Sequence, residues 1–300
     1  MSSFIQQLIN FLQLGSIYAL TAISFSMVYG IAGLVNFAHG SIFTVSMYSI
    51  FFISSFLFKR FENTWLVYIL SLTAGCTATA LIGMFIERLA YRPLRSAPKV
   101  STVVSSVGVG MFLEYMILNL AGSKAKRMPA LIPKYTVELA GVTIPMYKIL
   151  IIVIAVIAML VLNTIVRKTR LGTAMRAVSQ DPTAAGFMGI NVNRVISLAF
   201  VFGAVLATIA ASLYGTAYSI FAYNVGDTIN WWSFIAAVLG GIGSITGAVL
   251  GGYLLGAIAI LTPIVLPVSS YKDIVAFAVL IIVLMVKPTG ILGKNSSEKI

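Results

Sequence analysis

Charged side chains are scarce in this 300-residue sequence: Asp, Glu, Lys and Arg together make up 9%, whereas hydrophobic residues make up 59%. Soluble domains usually carry about 25% charged residues. No soluble fold could bury this much apolar surface, so the composition predicts a chain surrounded by lipid. Acidic residues are the scarcer charged group, 8 against 20 basic ones. In a membrane chain this excess indicates basic loops that set orientation and contact anionic lipid, rather than nucleic-acid binding.

Histidine and cysteine are almost absent, with one of each, His39 and Cys76. A structural or catalytic metal site needs about three or four clustered ligands, and a disulfide framework needs cysteine pairs, so we expect neither. The phosphate-binding loop G-x-x-x-x-G-K-[ST] is also missing, because Asn295 stands at the Ser/Thr position of "GILGKN" (290–295). No catalytic set is evident. The sequence therefore predicts a chain that is not an enzyme and holds no cofactor of its own.

Long apolar runs are abundant, and they set the fold class. A membrane-spanning helix needs about 20 apolar residues, so the sequence predicts an all-α polytopic membrane protein with about eight to nine transmembrane helices, some broken or short. One run, 231–243, is too short to cross unaided and predicts a helix that dips in or half-crosses, which needs protein or water around it. The nine runs lie near residues 4–30, 41–58, 65–86, 100–121, 143–166, 195–219, 231–243, 245–265 and 272–287.

Basic residues in the loops predict the orientation of the chain. The loops 87–99 and 167–194 are separated by two crossings, so they share a side, and nine crossings would bring the C-terminal tail to that side as well. Together these segments hold 12 of the 20 basic residues. The positive-inside rule then places both loops and the C-terminus in the cytoplasm, and the N-terminus outside.

A polar segment, "AMRAVSQDPTAAGFMGINVNRV" (174–195), interrupts the apolar runs. Asp181 is a good N-cap, Pro182 suits the first helical position, and Gly189 suits a left-handed C-cap. The pattern predicts a short helix over 182–188, with a helical turn before it over 171–180. Because a helix of about seven residues is not stable in water, it must dock on something. The residues alone leave two surfaces open, a partner protein and the lipid headgroups.

Polar residues also occur at membrane depth, in "NFAHG" (36–40). Such residues are usually buried and often functional. Asn36, His39 and Gly40 either line a pathway or satisfy backbone groups at a helix break, and the sequence leaves both interpretations open. Glu114, the lone carboxylate well inside an apolar run, either takes part in a proton relay or pairs with a basic residue or a polar backbone group near the membrane edge.

Two glycine-interrupted segments hint at an internal repeat. "GIAGLVNFAHGSI" (30–42) and "GGIGSITG" (240–247) each follow a helix and contain Gly-Ser-Ile before an apolar run. Paired interruptions in two inverted halves indicate a transport pathway, which would add Gly243 and Ser244 to the pathway candidates. Gly247 and Gly251 continue a four-residue glycine spacing that lets another helix approach closely.

Several blocks of the sequence resemble one family along nearly the whole chain. The run from Arg176 to Val192 resembles the cytoplasmic loop of branched-chain amino acid ABC-transporter permeases of the LivH type. The other similar blocks, in order, are "GSIYALTAISFSMVYGIAGLVNFAHGS" (15–41), "YRPLR" (91–95), "AAVLGGIGSITGAVLGG" (236–252) and "KPTGILG" (287–293). The resemblance implies a single permease domain over 1–300, in the cytoplasmic (inner) membrane of a prokaryote.

This resemblance also implies partners. They are a second, different permease subunit, two ATP-binding subunits that carry ATP and Mg, and an extracytoplasmic substrate-binding protein. The segment 167–194 becomes the loop that docks on the ATPase, with the coupling residues Arg176, Gln180, Asp181, Pro182, Ala184, Ala185 and Gly189. Substrates other than branched-chain or related neutral amino acids stay open, namely urea, short amides and ribose-type sugars. An ion-coupled secondary transporter is disfavoured, because only Glu114 could couple an ion.

Overall fold

The computed structural model describes residues 2–293 except 96, 134, 140, 141, 266, 267, 269 and 270. Lys294, Asn295 and Lys299 therefore lie outside the described residues. Within the described ranges the chain forms eleven α-helices: α1 (Ser2–Ala32), α2 (His39–Leu57), α3 (Thr64–Ile86), α4 (Lys99–Ala121), α5 (Met146–Lys168), α6 (Arg170–Gln180), α7 (Pro182–Phe187), α8 (Val192–Ala217), α9 (Val225–Gly240), α10 (Ile245–Val265) and α11 (Tyr271–Val286).

All nine apolar runs coincide with helices, which confirms the predicted fold class. Seven helices of the described chain are long and apolar enough to cross a membrane: α1, α2, α3 with its continuation, α4, α5, α8 and α10. The remaining two of the nine apolar runs form α9 and α11. Each of these helices has 16 residues, short of the roughly 20 that a crossing needs. The short helix predicted at 231–243 begins earlier, at Val225.

Four short β-strands were not expected from the apolar runs. β1 (Lys126–Arg127) pairs antiparallel with β4 (Ile220–Phe221), and β2 (Thr136–Leu139) pairs antiparallel with β3 (Val142–Pro145). The hairpin of β2 and β3 takes up the first residues of the run at 143–166. As a result α5 begins at Met146, and Pro145 fits this boundary because it cannot donate a backbone hydrogen bond.

The long helices run between two ends of the molecule. At the hairpin end, made of the described residues of 122–145 and 218–224, Lys148 Nζ donates to Asn10 Oδ1 at 2.5 Å and Met128 N donates to Ser219 O at 2.7 Å. A cavity of about 430 Å³ opens there and contains none of the predicted site residues. The other end, called the α7 end, consists of the described residues of the loop 87–98, α6, α7 and the turn 241–244.

Close helix contacts hold the centre of the bundle. Gly252 and Gly256 of α10 lie against Ala19 and Gly15 of α1, and Gly247 and Gly251 lie against Gly240 and Ala236 of α9. At each of these four glycines a Cβ atom would overlap the backbone of the neighbouring helix. Small residues are what permit such an approach between helices in lipid.

Candidate functional site

The polar segment folds into two helices at the α7 end. Asp181 stands between α6 and α7, and its Oδ1 accepts hydrogen bonds from Thr183 N at 2.8 Å and Ala184 N at 2.9 Å. Pro182 occupies the first turn of α7. Gly189 adopts φ +82°, in the left-handed region. The predicted capped helix is therefore present, and it ends one residue earlier than predicted, at Phe187.

Two large apolar side chains form the tip of α7. Phe187 is 86% exposed and Met188 is 84% exposed, beside a polar loop. Neither residue was predicted as part of the site, although two apolar residues just before Gly189 in a polar segment are a visible signal in the sequence. The pair is a candidate contact surface, for a partner protein or for the lipid headgroups.

The predicted coupling residues divide between outward and inward positions. Gln180, Asp181, Pro182, Ala184 and Gly189 are exposed. By contrast, Ala185, also named as a coupling residue, is 5% exposed and packs in this chain's own core rather than facing outward. Arg176 also acts within the chain.

Arg176 fixes α6 to the end of α5. Its Nη1 donates to Val166 O and to Arg167 O, and its Nη2 donates to Thr173 Oγ1 at 3.2 Å. A small cavity of about 80 Å³ lies beside it, bordered by Gly30 of α1 and Gly243. A displacement of α6 would therefore reach the last turn of α1 and the turn 241–244.

Replacing Asp181 by Ala is expected to loosen α7 without affecting the membrane helices. Loss of an N-cap costs about 1 kcal/mol, which corresponds to roughly fivefold faster amide exchange. The increase in exchange rate is measured by hydrogen exchange at the amides of Thr183 and Ala184 in the detergent-solubilised protein. Asp181→Asn keeps an N-cap of equal quality and should exchange like the parent protein. Equal exchange in Asp181→Ala and the parent would contradict this role for the carboxylate.

The "NFAHG" segment connects α1 to α2 as a re-entrant loop. Asn36 is 2% exposed, and its Oδ1 accepts from Ala38 N at 3.0 Å and from Tyr91 OH at 2.6 Å. His39 is 1% exposed, its ring lies edge-on to Phe25, and its Nε2 has no hydrogen-bond partner among the described residues. In this conformation Asn36 stabilises the turn that leads into α2, and neither side chain lines an open pathway.

The first turns of α2 and α9 meet at a crossing point. Gly40 N donates to Asn230 Oδ1 at 3.2 Å, and Gly226 N donates to Thr44 Oγ1 at 3.0 Å. Each helix start is thus capped by a side chain that lies four residues after the corresponding glycine of the other helix. The two glycines pack backbone to backbone, with no room for a Cβ on either.

This reciprocity identifies two inverted units. In the first, α1 runs toward the α7 end, and a re-entrant loop leads to α2. In the second, α8 runs toward the hairpin end, and residues 218–224 lead to α9. The repeat predicted from the sequence instead paired residues 30–42 with residues 240–247, and the structure does not support that pairing. Inverted copies would lie at opposite ends, whereas Gly30 packs directly on Gly243.

Gly243 and Ser244 shape the turn before α10. Gly243 adopts φ +85° and its N donates to Ser26 Oγ at 2.8 Å, while Ser244 Oγ accepts from Gly247 N at 3.1 Å. Ser244 therefore caps α10. The segment after α11 closes over the same turn, because Leu292 N donates to Gly240 O at 2.9 Å.

A buried ion pair, also missed in the sequence, joins the loop 87–98 to α8. α3 continues into a π-helical turn (Glu87–Tyr91) and a 3-10 turn (Arg92–Leu94). Glu87 is fully buried, and its carboxylate accepts from Arg95 Nη2 and from Ser197 Oγ. Arg95 Nη1 also donates to Asn193 Oδ1 at 2.6 Å. Burial lowers the pKa of Arg95, and the adjacent Glu87 carboxylate partly offsets this.

These contacts connect α7 to the re-entrant loop. Asn193 and Ser197 lie in the first turns of α8, which follows α7, and the π-helical turn ends at Tyr91. Tyr91 in turn donates to Asn36. π-Helical turns inside longer helices often occur at functional sites. The arrangement can transmit a displacement of α7, and among the described residues it contains no metal-ligand cluster.

Comparison with known proteins decides the family. Residues 7–284 match the family described as the branched-chain amino acid transport system permease component. The chain belongs to this permease family. BraD of Pseudomonas aeruginosa, named a high-affinity branched-chain amino acid transport system permease protein, is 40% identical over 302 residues, which cover 99% of this chain and 98% of BraD. Proteins with the same description, LivH of Escherichia coli K12 and LivH of Salmonella typhimurium, are 38% identical with the same coverage.

Full-length similarity identifies the permease as a membrane-spanning transport component. Because the match begins in α1 and ends in α11, it includes the re-entrant loop before α2, the segment 218–224 before α9, the ion pair of Glu87 with Arg95, and α7. Each of these parts therefore lies within the region that matches the transport family.

Proposed function

We propose that this permease is the translocation subunit of a binding-protein-dependent ABC importer for branched-chain amino acids in a prokaryotic inner membrane. The names of BraD and LivH support the substrate class. The missing phosphate-binding loop supports a separate source of ATP hydrolysis. Two ATP-binding subunits, an extracytoplasmic binding protein and a second permease subunit complete the complex.

The proposed orientation places the α7 end in the cytoplasm and the hairpin end outside. Arg88, Arg92 and Arg95 lie in one loop of the α7 end, and Arg167, Lys168, Arg170, Arg176 and Arg194 lie in or beside α6 and α7. A side rich in basic residues is typical of the cytoplasmic face. The N-terminus of α1 is then outside, and α11 leads toward the cytoplasm.

The main observation in support of the coupling role is the exposed tip of α7. Phe187 and Met188 lie at the end of a helix that is capped at Asp181 and followed by Gly189 in the left-handed conformation, so their presentation is fixed before any partner binds. Preorganised apolar anchors are typical hot spots of interfaces. In the proposed complex they enter a cleft of an ATP-binding subunit.

Movement would pass from α7 by two routes. One route runs through α6 and Arg176 to the last turn of α1 and the turn 241–244. The other runs through Asn193, Arg95 and Glu87 to Tyr91 and Asn36. Both routes converge on the segments that carry Asn36, His39, Gly40, Gly243 and Ser244, which we propose border the substrate pathway when the halves rock to the alternate state. The broken helices there suit a zwitterionic substrate, because helix ends can meet its charged groups.

Replacing Phe187 by Ser tests the coupling role. In the reconstituted complex with all partner subunits, leucine-loaded binding protein should stimulate ATP hydrolysis, and Phe187→Ser should reduce this stimulation roughly tenfold or more, as expected for a hot-spot residue. Phe187→Leu keeps an apolar anchor and should retain most of the stimulation. Full stimulation in Phe187→Ser would remove α7 from the coupling interface. Binding proteins loaded with urea or ribose serve as substrate controls and should give no stimulation.

A further inference from the structure

The hairpin end of the permease contains a cavity of about 430 Å³, at the opposite end of the molecule from α7. Pockets that bind small molecules usually have volumes of about 300–1,000 Å³, so the cavity has room for one amino acid. In the proposed orientation it lies on the outer side of the membrane, where a substrate released by the binding protein arrives. The two proposed coupling routes do not reach it.

Among the described residues, the lining of this cavity combines buried apolar side chains with one cation. Met128, Leu131 and Ile132 belong to the lining, and each is no more than 4% exposed. Arg127 supplies the positive charge, and the described lining residues include no Asp or Glu. A complementary ligand therefore carries an anionic group next to a compact apolar part.

Backbone contacts hold Arg127 at the edge of the cavity. Arg127 is paired with Ile220 across β1 and β4, and the next residue is fixed by the hydrogen bond from Met128 N to Ser219 O. The one salt bridge between described residues is Glu87 with Arg95, so no described carboxylate is paired with the Arg127 guanidinium. A guanidinium group suits a ligand carboxylate, which it can bind through two parallel hydrogen bonds.

Hydroxyl groups at the end of α8 add hydrogen-bond acceptors to the lining. Thr216 Oγ1 donates to Ser212 O at 2.8 Å, so its lone pairs remain as acceptors. Ser219 is exposed and also lines the cavity. An ammonium group is a donor without an acceptor, so these oxygens suit the second charged group of an α-amino acid. A lipid acyl chain would leave them and the guanidinium without partners.

The Gly215 side of the cavity, called its floor, leads toward the crossing of α2 and α9. A Cβ atom on Gly215 would be 2.7 Å from Met128 Cε and 3.0 Å from Met47 Sδ. Met47 lies seven residues after Gly40 in α2, which is about 10 Å along the helix axis. Methionine side chains are unbranched and adaptable. The two methionines can therefore close the floor in this state and move aside in another.

We propose that this cavity is the site where the permease receives a branched-chain amino acid, with its carboxylate bound by Arg127 and its apolar side chain against Met128, Leu131 and Ile132. The proposal rests on the proposed function, which supplies the substrate class and the outer position of the hairpin end. Met47 and Met128 then separate the received substrate from the crossing of α2 and α9 until the halves rock.

Protection from thiol labelling tests the site. In a Cys76→Ser background, Ser219→Cys puts a thiol in the lining, and the permease is reconstituted into liposomes with its partner permease and ATP-binding subunits but without binding protein. A membrane-impermeant maleimide should label this thiol. Free leucine should slow the labelling about tenfold at about ten times its dissociation constant. Ser123→Cys, exposed at the same end but outside the lining, is the matched control and should be labelled at an unchanged rate.

Three results of this experiment would overturn the proposal. The first is a Ser219→Cys thiol that is labelled at the same rate at every leucine concentration. The second is a thiol that the maleimide does not reach in the complex, because a partner chain or lipid would then fill the cavity. The third is equal protection of Ser123→Cys, which would indicate a general closure of the hairpin end rather than a bound ligand.

Leucinamide tests the role of Arg127. It has the shape of leucine without the carboxylate, and it should protect Ser219→Cys at least about tenfold more weakly, because the hydrogen bonds to a charged partner are lost. Arg127→Gln should weaken protection by leucine by a similar factor and remove the difference between the two ligands. Arg127→Lys keeps a cation and should retain part of the difference. Equal protection of the Ser219→Cys protein by leucine and leucinamide would refute binding of the carboxylate by Arg127.

Stimulation of ATP hydrolysis by leucine-loaded binding protein is measured on the parent complex alongside the labelling. An active parent complex whose cavity is not protected by leucine refutes only the receiving site. An inactive parent complex refutes the proposed function, whatever the labelling shows.

Discussion

Replacing Gly226 by Ala is expected to abolish both folding to the native state and transport. A methyl group at this position would overlap Gly40 O, and Thr44 Oγ1 would also be in its way. The obstacle is mainly backbone, which cannot rotate aside. Relief requires α2 and α9 to separate, and separation breaks the hydrogen bonds from Gly40 N to Asn230 and from Gly226 N to Thr44. Overpacking costs about 1–3 kcal/mol, and two unsatisfied buried donors add about 1–3 kcal/mol each.

Thermal unfolding of the detergent-solubilised permease, followed by size-exclusion chromatography, measures this effect together with leucine uptake. Gly108→Ala is the matched control, because Gly108 lies in α4 with no atom within 4 Å of its added Cβ, and it should behave like the parent protein. Gly40→Ala should fail as Gly226→Ala does. A Gly226→Ala protein that unfolds at the parent temperature and transports leucine would refute the crossing geometry.

Replacing Arg95 by Ala is expected to destabilise the permease by about 3–5 kcal/mol, since it leaves a buried carboxylate without its cation. Glu87 is fully buried, and after the substitution only Ser197 would hydrogen-bond to it. Urea or heat denaturation in detergent measures the loss. Because the pair lies between α8 and the loop of Tyr91, we also expect leucine-stimulated ATP hydrolysis to fall.

The double substitution Glu87→Gln with Arg95→Ala separates a charge effect from a packing effect. Removing the carboxylate's charge should restore a large part of the stability lost in Arg95→Ala, because an unpaired buried charge costs more than a neutral amide. Arg88→Ala, in the same turn but exposed, is the control and should change stability by less than about 0.5 kcal/mol. If the double variant were less stable than Arg95→Ala alone, the pairing would not be the source of the effect.

Local patterns in the sequence were sufficient to predict the positions of the helices. Apolar runs near 20 residues long identify membrane helices because lipid satisfies no backbone groups, and Asp181, Pro182 and Gly189 identify α7 because capping is local. The short helix α9 was harder to delimit than α11, whose predicted bounds of 272–287 were each within one residue of those observed. α9 starts at Val225 because Thr44, 182 residues away in the chain, caps its first turn, and no local pattern contains that contact.

The candidate site was predicted only in part, because many of its features depend on contacts between residues that are distant in the chain. The coupling segment was found, but the inward position of Ala185 and the internal role of Arg176 depend on where α6 packs. Glu87 looked like one residue of a basic loop, although the π-helical turn buries it against Ser197. Gly-Ser-Ile spacing suggested a repeat of 30–42 and 240–247, whereas the inverted units are related through Gly40 and Gly226.

The crossing of α2 and α9 also has a consequence for biosynthesis. Gly40 N is capped by Asn230, which is 190 residues away in the chain. At synthesis rates of about 5–20 residues per second, α2 waits roughly 10 to 40 s for that partner. During this interval its first turn has no native acceptor in a medium with little water. The newly made N-terminal half therefore needs a protected environment, such as the insertion machinery or a chaperone, until the C-terminal half arrives.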